Sequence, residues 1–592
     1  MSSNRFLSIL AIVALSPTLS AQESTDAEDV REDRGLRRPI ALVRFDSLVV
    51  VANRDAGSIS VIDADLREVV VENRVGRRLS SLASVGQGNL HLATDEAADE
   101  LLLLRVERSG VDVTARLAVP HTPVSVSVLP ERIAAVGSLW ARQLTFVRLT
   151  AAGLCRLETI DLPFAPRVLQ PSADGAALIV AESFGGTLGV VDVTKRKLVS
   201  LRSLEAHNIG GMTLDVDGES LLVAHQQMSP SVPTERARVF WGAVVGNLLR
   251  TVSLSHLLEI DERSLTGPPR PVVRWSLLPL GQPGRGAGDP GCVEVTDDGT
   301  ILVAAEGVDE LLVVSPTGSD THRVKVGDRP ADIALWGDGK TAWVANTFSD
   351  TVSVVDIEAA TVSATISLGT MRRLRAHERG EMAFRDARLS LDGWVSCHSC
   401  HTDGHTSGEL NDNLGDGSYG TPKKILTLHG AGPTGPWGWT GRRITLDDQI
   451  ARSVETTMRL EKGDSDAAVS ALVAFIDRLD PLPSVRLARR QIDPTRVEVG
   501  RQIFEKEGCG ECHSPPLYES AGNRKVGLKD EAGVDHFNPP SLLGISQRVA
   551  GGYLHDGRAR RLRDVFEKHR HPRGRIVGPE DLERLLYFLG SL

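Results

Sequence analysis

The sequence predicts a multidomain chain: an all-β seven-bladed propeller first, then a mainly α part that is internally duplicated. Three observations carry this reading. The chain has 592 residues, well beyond the ~100–200 of a single domain. Short Val/Leu-rich runs recur every 40–46 residues between Leu48 and Thr341, with one interval of 80. Past residue 370 that rhythm stops, and two Cys-x-x-Cys-His clusters appear, each followed by a similar series of motifs.

The N-terminus reads as a secretory signal over residues 1–21: Arg5, the apolar run Phe6–Leu15, then small residues up to Ala21. That run is about half of the ~20 residues that span a bilayer, so the expected mature chain is periplasmic or otherwise exported and has no integral membrane segment. Residues 22–38 are charged and read as a flexible leader. A net charge of −10 with no basic block excludes a nucleic-acid binder that works by neutralising phosphates.

The repeat is clearest from Ala331: ADIALW, TAWVAN, TVSVVDI and VSATISL, separated by GDGK, TFSD and EAAT. Four short runs between turn residues make one antiparallel blade. Related second strands begin near Leu48, Asn89, Arg132, Leu178, Leu221, Ile301 and Thr341. A near-constant period of this length is what blades give, because each covers the faces of its neighbours. Seven starts place seven blades over residues 39–369, and the long interval holds residues 230–290, read as an insertion. The segment WVANTFSDTVSVVD, from Trp343 to Asp356, resembles YVTN-type β-propeller repeats. Such a pattern fixes a fold and no chemistry. His91, His121, His207, His225, His256 and His322 are scattered singly and read as structural or solvated. This part is therefore assigned to binding or positioning.

Four of the six cysteines lie in Cys397-His-Ser-Cys400-His401 and Cys509-Gly-Glu-Cys512-His513. This spacing attaches a c-type haem: the thiols add across two vinyl groups and the next histidine is placed under the iron. A zinc site, the competing reading, requires four ligands of fixed geometry. Two covalently bound c-type haems are expected, with His401 and His513 as proximal ligands. His398 is interior to its motif and should point away from the iron. Cys155 and Cys292 are left either to pair or to remain two buried thiols.

The flanks repeat as well. Helical runs precede both clusters, the pairs Gly441-Arg442 and Gly557-Arg558 follow at similar distances, and apolar helices close both units. The first unit spans 375–484 and the second 495–592, so the predicted fold is a seven-bladed propeller followed by duplicated cytochrome c domains in a pseudo-twofold arrangement.

From about residue 380, the segments CHSCHTDG, GTPKKILTLHG, WGWTGRRITLDDQ and YLHDGRARRLRDVF resemble the bacterial di-haem cytochrome c peroxidase and MauG superfamily. The resemblance implies that one haem receives electrons from a small redox carrier, a cytochrome c or cupredoxin, and that the other meets peroxide, with a tryptophan between them. Trp439 stands at the bridging position and Gln449 at the distal glutamine. The family's catalytic glutamate falls on Arg459, and Glu455 or Met458 replaces it only if the helix shifts. The second haem's distal ligand falls on His569, which shares a helical face with Leu562, Val565 and Phe566; His571 is the alternative. For the first haem, Asn411, Asp412 and Asn413 stand where a distal histidine is expected, leaving His405, His429, Met458 or an open position. Gly420 matches an asparagine that helps hold calcium, so calcium stays open.

The expected function is reduction of hydrogen peroxide, with catalytic Gln449, Glu455 and Trp439. The alternatives are MauG-like oxidation of a partner bound to the propeller, electron transfer without peroxide turnover, and a sensing module with haems as reporter.

Overall fold

The computed structural model describes residues 35–592 apart from 87, 274, 461–465, 549 and 573–575. The signal and most of the leader read from the sequence lie outside the described residues. Seven four-stranded antiparallel sheets follow in chain order at 39–74, 79–118, 123–161, 166–203, 207–279, 290–325 and 330–367, here blades 1 to 7.

The second and third strands of a blade, such as Leu48–Asn53 and Ser58–Asp63, are buried along their whole length. Neighbouring blades cover both faces, which is why LVVVAN lacks polar alternation. The asparagine that ends this run has a local reason. Asn53 Nδ2 donates to Ser58 Oγ (3.0 Å) and Ser60 Oγ (2.8 Å), and Asn346 Nδ2 donates to Thr351 Oγ1 (3.0 Å) and Ser353 Oγ (2.9 Å). A buried amide thus pins the second strand to the third where the hairpin opens. Carboxylates close the ring: Asp350 accepts from the main-chain N–H of Arg37 (2.9 Å) and Arg38 (2.7 Å), and Asp332 from that of Leu42 (2.8 Å).

The insertion lies in blade 5 and falls in two pieces. One separates Ser220–Met228 from Val245–Ser253 and carries a short helix, Arg236–Phe240. The other precedes Trp275–Pro279 and lends Arg270–Pro271 to blade 4 as a fifth, parallel strand. Cys155 and Cys292 lie on blades 3 and 6 as free thiols, so they do not pair.

The second part contains helices α1 (Ala376–Phe384), α2 (Cys397–Cys400), α3 (Leu446–Thr456), α4 (Asp466–Ile476), α5 (Pro494–Lys506), α6 (Leu562–Glu567) and α7 (Pro579–Leu589). α1 packs on α4 and α5 on α7. Each pair crosses at a glycine: a Cβ on Gly380 would lie 1.9 Å from the Ala471 carbonyl oxygen, and one on Gly500 2.3 Å from that of Arg584. A bridged loop also recurs, Trp437 pairing Arg443 and Tyr553 pairing Ala559, around the two Gly-Arg pairs. The duplication is therefore present in the backbone.

Propeller and first unit share a core. Met228, Val239, Val244 and Val245 of blade 5 pack in one cluster with Trp394, Val395, Ile450, Val454 and Met458. Among the described residues no helix is long and apolar enough to cross a membrane.

Candidate functional site

The first Cys-x-x-Cys-His motif is a single helical turn, α2, and one turn has too few internal hydrogen bonds to hold itself. Its own cap helps: Ser396 Oγ accepts from the Ser399 N–H (3.2 Å), and Ser399 Oγ accepts from the Ser396 N–H (2.9 Å). The propeller supplies the rest. Asp289, between blades 5 and 6 and 4% exposed, accepts from the hydroxyls of Ser396 and of Ser399 (2.7 Å). His207 Nε2 lies 3.0 Å from the Ser399 carbonyl, and Gln226 Nε2 donates to Ser399 Oγ (3.1 Å). Burial opposes ionisation of Asp289, yet His398, Ser396 and Ser399 together hold its carboxyl below the usual range. His398 turns to Asp403, Nε2 3.2 Å from Oδ1. His207, which reads from sequence as an isolated structural histidine, is thus an anchor of this motif.

Cys397, Cys400 and His401 line a cavity of about 310 Å³; Cys509, Cys512 and His513 line another of about 180 Å³. Trp439 lines both, as do Lys424 and Arg548. The indole N–H of Trp439 donates to the Lys424 carbonyl (2.7 Å), while Lys424 donates its own N–H to the His555 carbonyl (2.7 Å) and its ammonium to the carbonyls of Ala550 (2.8 Å) and Gly552. His555 is stacked on Phe537 (4.4 Å between centroids) and meets Trp439 edge-on (6.3 Å). Trp439 and His555 stand at corresponding places of the repeat, each two residues before its Gly-Arg pair, so the duplicated residues face each other across the common wall.

The donor sets fit c-type haem. All four motif cysteines lie on the cavity walls outside any disulfide, and burial pushes Cys397 and Cys400 up to about 12. Burial likewise holds His401 and His513 down to about 4, the neutral form that ligates metal. His513 Nδ1 lies 3.2 Å from the Tyr518 carbonyl, which leaves Nε2 for a metal. His401 Nδ1 is buried without a hydrogen-bond partner.

The distal residues divide. α3 carries Gln449 and Ser453 to the first cavity, with Gln449 Nε2 donating to Ser453 Oγ (3.2 Å), and Met458 lines it from beyond the helix end. Glu455 is not brought there; it sits on the outer face of α3, 3.3 Å from Arg452. Arg459 is held by the insertion, Nε donating to the Thr234 carbonyl (2.5 Å), and by the Tyr419 hydroxyl. The helix does not shift, because residues 458–460 are tied back to Ser453 and Val454. His405 has both nitrogens engaged, by Thr427 Oγ1 (3.0 Å) and the Gln547 carbonyl (3.1 Å), and His429 by the carbonyls of Asp480 and Asp403 (both 2.9 Å). Of the three sequence candidates, only Met458 keeps a donor atom for the first cavity.

In the second cavity the structure places His571, not His569, on the wall. α6 ends at Glu567, so the helical phase that would bring His569 round with Phe566 is lost. The chain instead turns, the His571 N–H bonding the Val565 carbonyl (3.1 Å). His571 Nδ1 is buried and unpartnered, and its ring is near enough to depress the protonation of His513.

At the position matched to the calcium asparagine, Gly420 donates its N–H to Asp412 (2.9 Å), and the Lys423 ammonium lies between Asp416 (2.5 Å) of the first unit and Asp530 (3.0 Å) of the second. An ammonium here joins carboxylates of both units. Among the described residues no group of three or more His, Cys, Asp or Glu is arranged to hold a metal ion.

The first cavity also takes a residue that carries no sequence signal. Glu519, from the second unit, lines the first cavity; its Oε2 is buried without a partner, and burial pushes the carboxyl up to about 7. It lies in an irregular stretch with no periodic signal to single it out.

A seven-bladed propeller fused to a duplicated domain with c-type haem motifs defines a cytochrome-type redox protein. Residues 375–480 match the family described as di-haem cytochrome c peroxidase. Hydrazine synthase subunit gamma of Kuenenia stuttgartiensis is 29% identical over 276 residues, 36% of this chain and 76% of that one. Cytochrome c551 peroxidase of Nitrosomonas europaea is 22% identical over 266 residues, covering 36% and 79%. Methylamine utilization protein MauG of Methylorubrum extorquens is 25% identical over 244 residues, covering 32% and 67%.

Proposed function

We propose that this protein is an exported oxidoreductase holding two c-type haems, in which Trp439 carries electrons from the second site to the first and a small oxidant, hydrogen peroxide, is reduced at the first. The observation that carries the reading is the place of Trp439 in the wall common to both cavities. A bound c-type haem supplies one-electron chemistry at iron, with a full ligand set favouring transfer and an open position admitting a small oxidant. Cys397, Cys400 and His401 would hold one group; Cys509, Cys512, His513 and His571 the other. Gln449 is placed to hydrogen-bond a ligand in the first cavity, and the electron donor is a small cytochrome c or cupredoxin.

The test is stopped-flow reduction of the loaded full chain by reduced cytochrome c, followed by peroxide. Wild type should oxidise the carrier, and Trp439→Phe should slow transfer between the sites by about tenfold or more, ~1.4 kcal/mol of barrier. Equal transfer in the variant, or one haem per chain in wild type, would refute the reading.

A second reading is favoured by the absence of a carboxylate from the cavity face of α3: MauG-like oxidation of a protein partner docked on the propeller. It predicts peroxide consumption that leaves the small carrier reduced.

A further inference from the structure

Splitting peroxide requires a group that moves a proton between its oxygens, and α3 does not provide one: Glu455 faces outward and Arg459 is tied to the insertion. The second unit reaches across instead. Glu519 follows the second haem motif in sequence, yet its side chain lines the first cavity together with Gln449 and Trp439. Its main chain is fixed, N–H to the Ser514 carbonyl and carbonyl to the Ser514 N–H (both 3.2 Å). A buried carboxylate oxygen with no partner costs several kcal/mol of desolvation unless something in the cavity answers it.

We propose that Glu519 is the proton-handling carboxyl of the first cavity, supplied in trans by the second unit in place of the carboxylate that α3 lacks. The assignment rests on the reading above that the first cavity takes a small oxidant. Reduction of hydrogen peroxide to two waters consumes two electrons, brought from the carrier through Trp439, and two protons. As the O–O bond breaks, the Glu519 carboxyl gives one proton to the departing oxygen, which leaves as water, and regains one from solvent; the oxygen left behind takes the two electrons and the second proton, from solvent, to become the other water. Other ionisable groups that face the cavity are differently placed. His429 has its two nitrogens each 2.9 Å from a main-chain carbonyl, Lys423 is paired with Asp416, and Lys424 and Arg548 are held on main-chain carbonyls.

The experiment is fluoride binding to the oxidised, loaded full chain, followed by absorption between pH 5 and 9. An anion that hydrogen-bonds the Glu519 carboxyl needs it protonated. Wild-type affinity should therefore be flat below pH 7 and fall about tenfold per pH unit above it. Glu519→Gln should bind with no such slope. Glu519→Asp, a second variant that keeps a carboxyl, should retain the slope with a displaced midpoint. A slope that survives in Glu519→Gln, a flat profile in Glu519→Asp, or no fluoride binding by wild type at any pH overturns the assignment. If the slope behaves as expected but wild type oxidises no carrier with peroxide, the proton-handling role stands and the peroxidase reading fails.

Discussion

At the scale of single residues, two histidines two places apart separate by what their backbone does. His569 and His571 both follow α6, and an unbroken helix would give His569 the inward phase. Because α6 ends at Glu567, His571 lines the second cavity with a buried, unpartnered nitrogen. If His571 completes the ligand set, His571→Ala should convert one low-spin haem to high spin in the low-temperature EPR spectrum of the oxidised protein. His569→Ala should leave that spectrum unchanged. The reverse pattern would restore His569. The motif residues Cys397, Cys400, His401, Cys509, Cys512 and His513 were legible because attachment chemistry fixes their spacing. Family resemblance pointed to Trp439 and Gln449, and both line the first cavity. Glu519, Asp289 and His207 were not legible, since each acts through a contact with a distant part of the chain that no local pattern encodes.

At the scale of elements, the repeats were legible because every copy solves the same packing problem. In blades, the Asn that closes LVVVAN and TAWVAN bonds hydroxyls on the next strand, so the motif persists while its neighbours vary. Helix lengths were less legible: in the helical run before the first cluster Met382, Phe384 and Leu389 stand at helical spacing, whereas α1 stops at Phe384 and Ala387–Leu389 forms a separate turn. The insertion read as one block divides around a strand, since half of it caps the first unit and half mends the edge of blade 4. In the duplicated units the α1–α4 and α5–α7 pairs cross so closely that a methyl group must displace a main-chain carbonyl. Gly380→Ala should therefore destabilise its unit by about 1–3 kcal/mol, the range for overpacking, and Gly500→Ala should do the same in the other. Differential scanning calorimetry of the loaded protein would show the affected transition lowered in each variant. An unchanged thermogram would mean that the helices separate without cost.

At the scale of the whole molecule, the propeller braces the first Cys-x-x-Cys-His motif from outside the cavity. Blade 5 shares a hydrophobic core with α3, and a network of Asp289, His207 and Gln226 grips the α2 turn. Farther out, Gln547 of the second unit is locked to the propeller, its Nε2 donating to the Trp140 carbonyl (2.8 Å) and its Oε1 accepting from Arg142 Nε (3.0 Å). Cutting the chain at residue 370 would therefore expose the first unit's core, so removal of the propeller cannot by itself separate a docking role from a structural one. A point change can. Asp289→Ala leaves two buried hydroxyls without their acceptor, each loss worth about 1–3 kcal/mol, and these hydroxyls belong to Ser396 and Ser399 beside the attachment cysteines. The second motif has no contact with Asp289. Haem content measured per chain should fall from two towards one, with the spectrum of the second haem preserved. Equal loss of both haems would mean that Asp289 supports the fold at large, and full retention would mean that α2 holds its shape without the propeller.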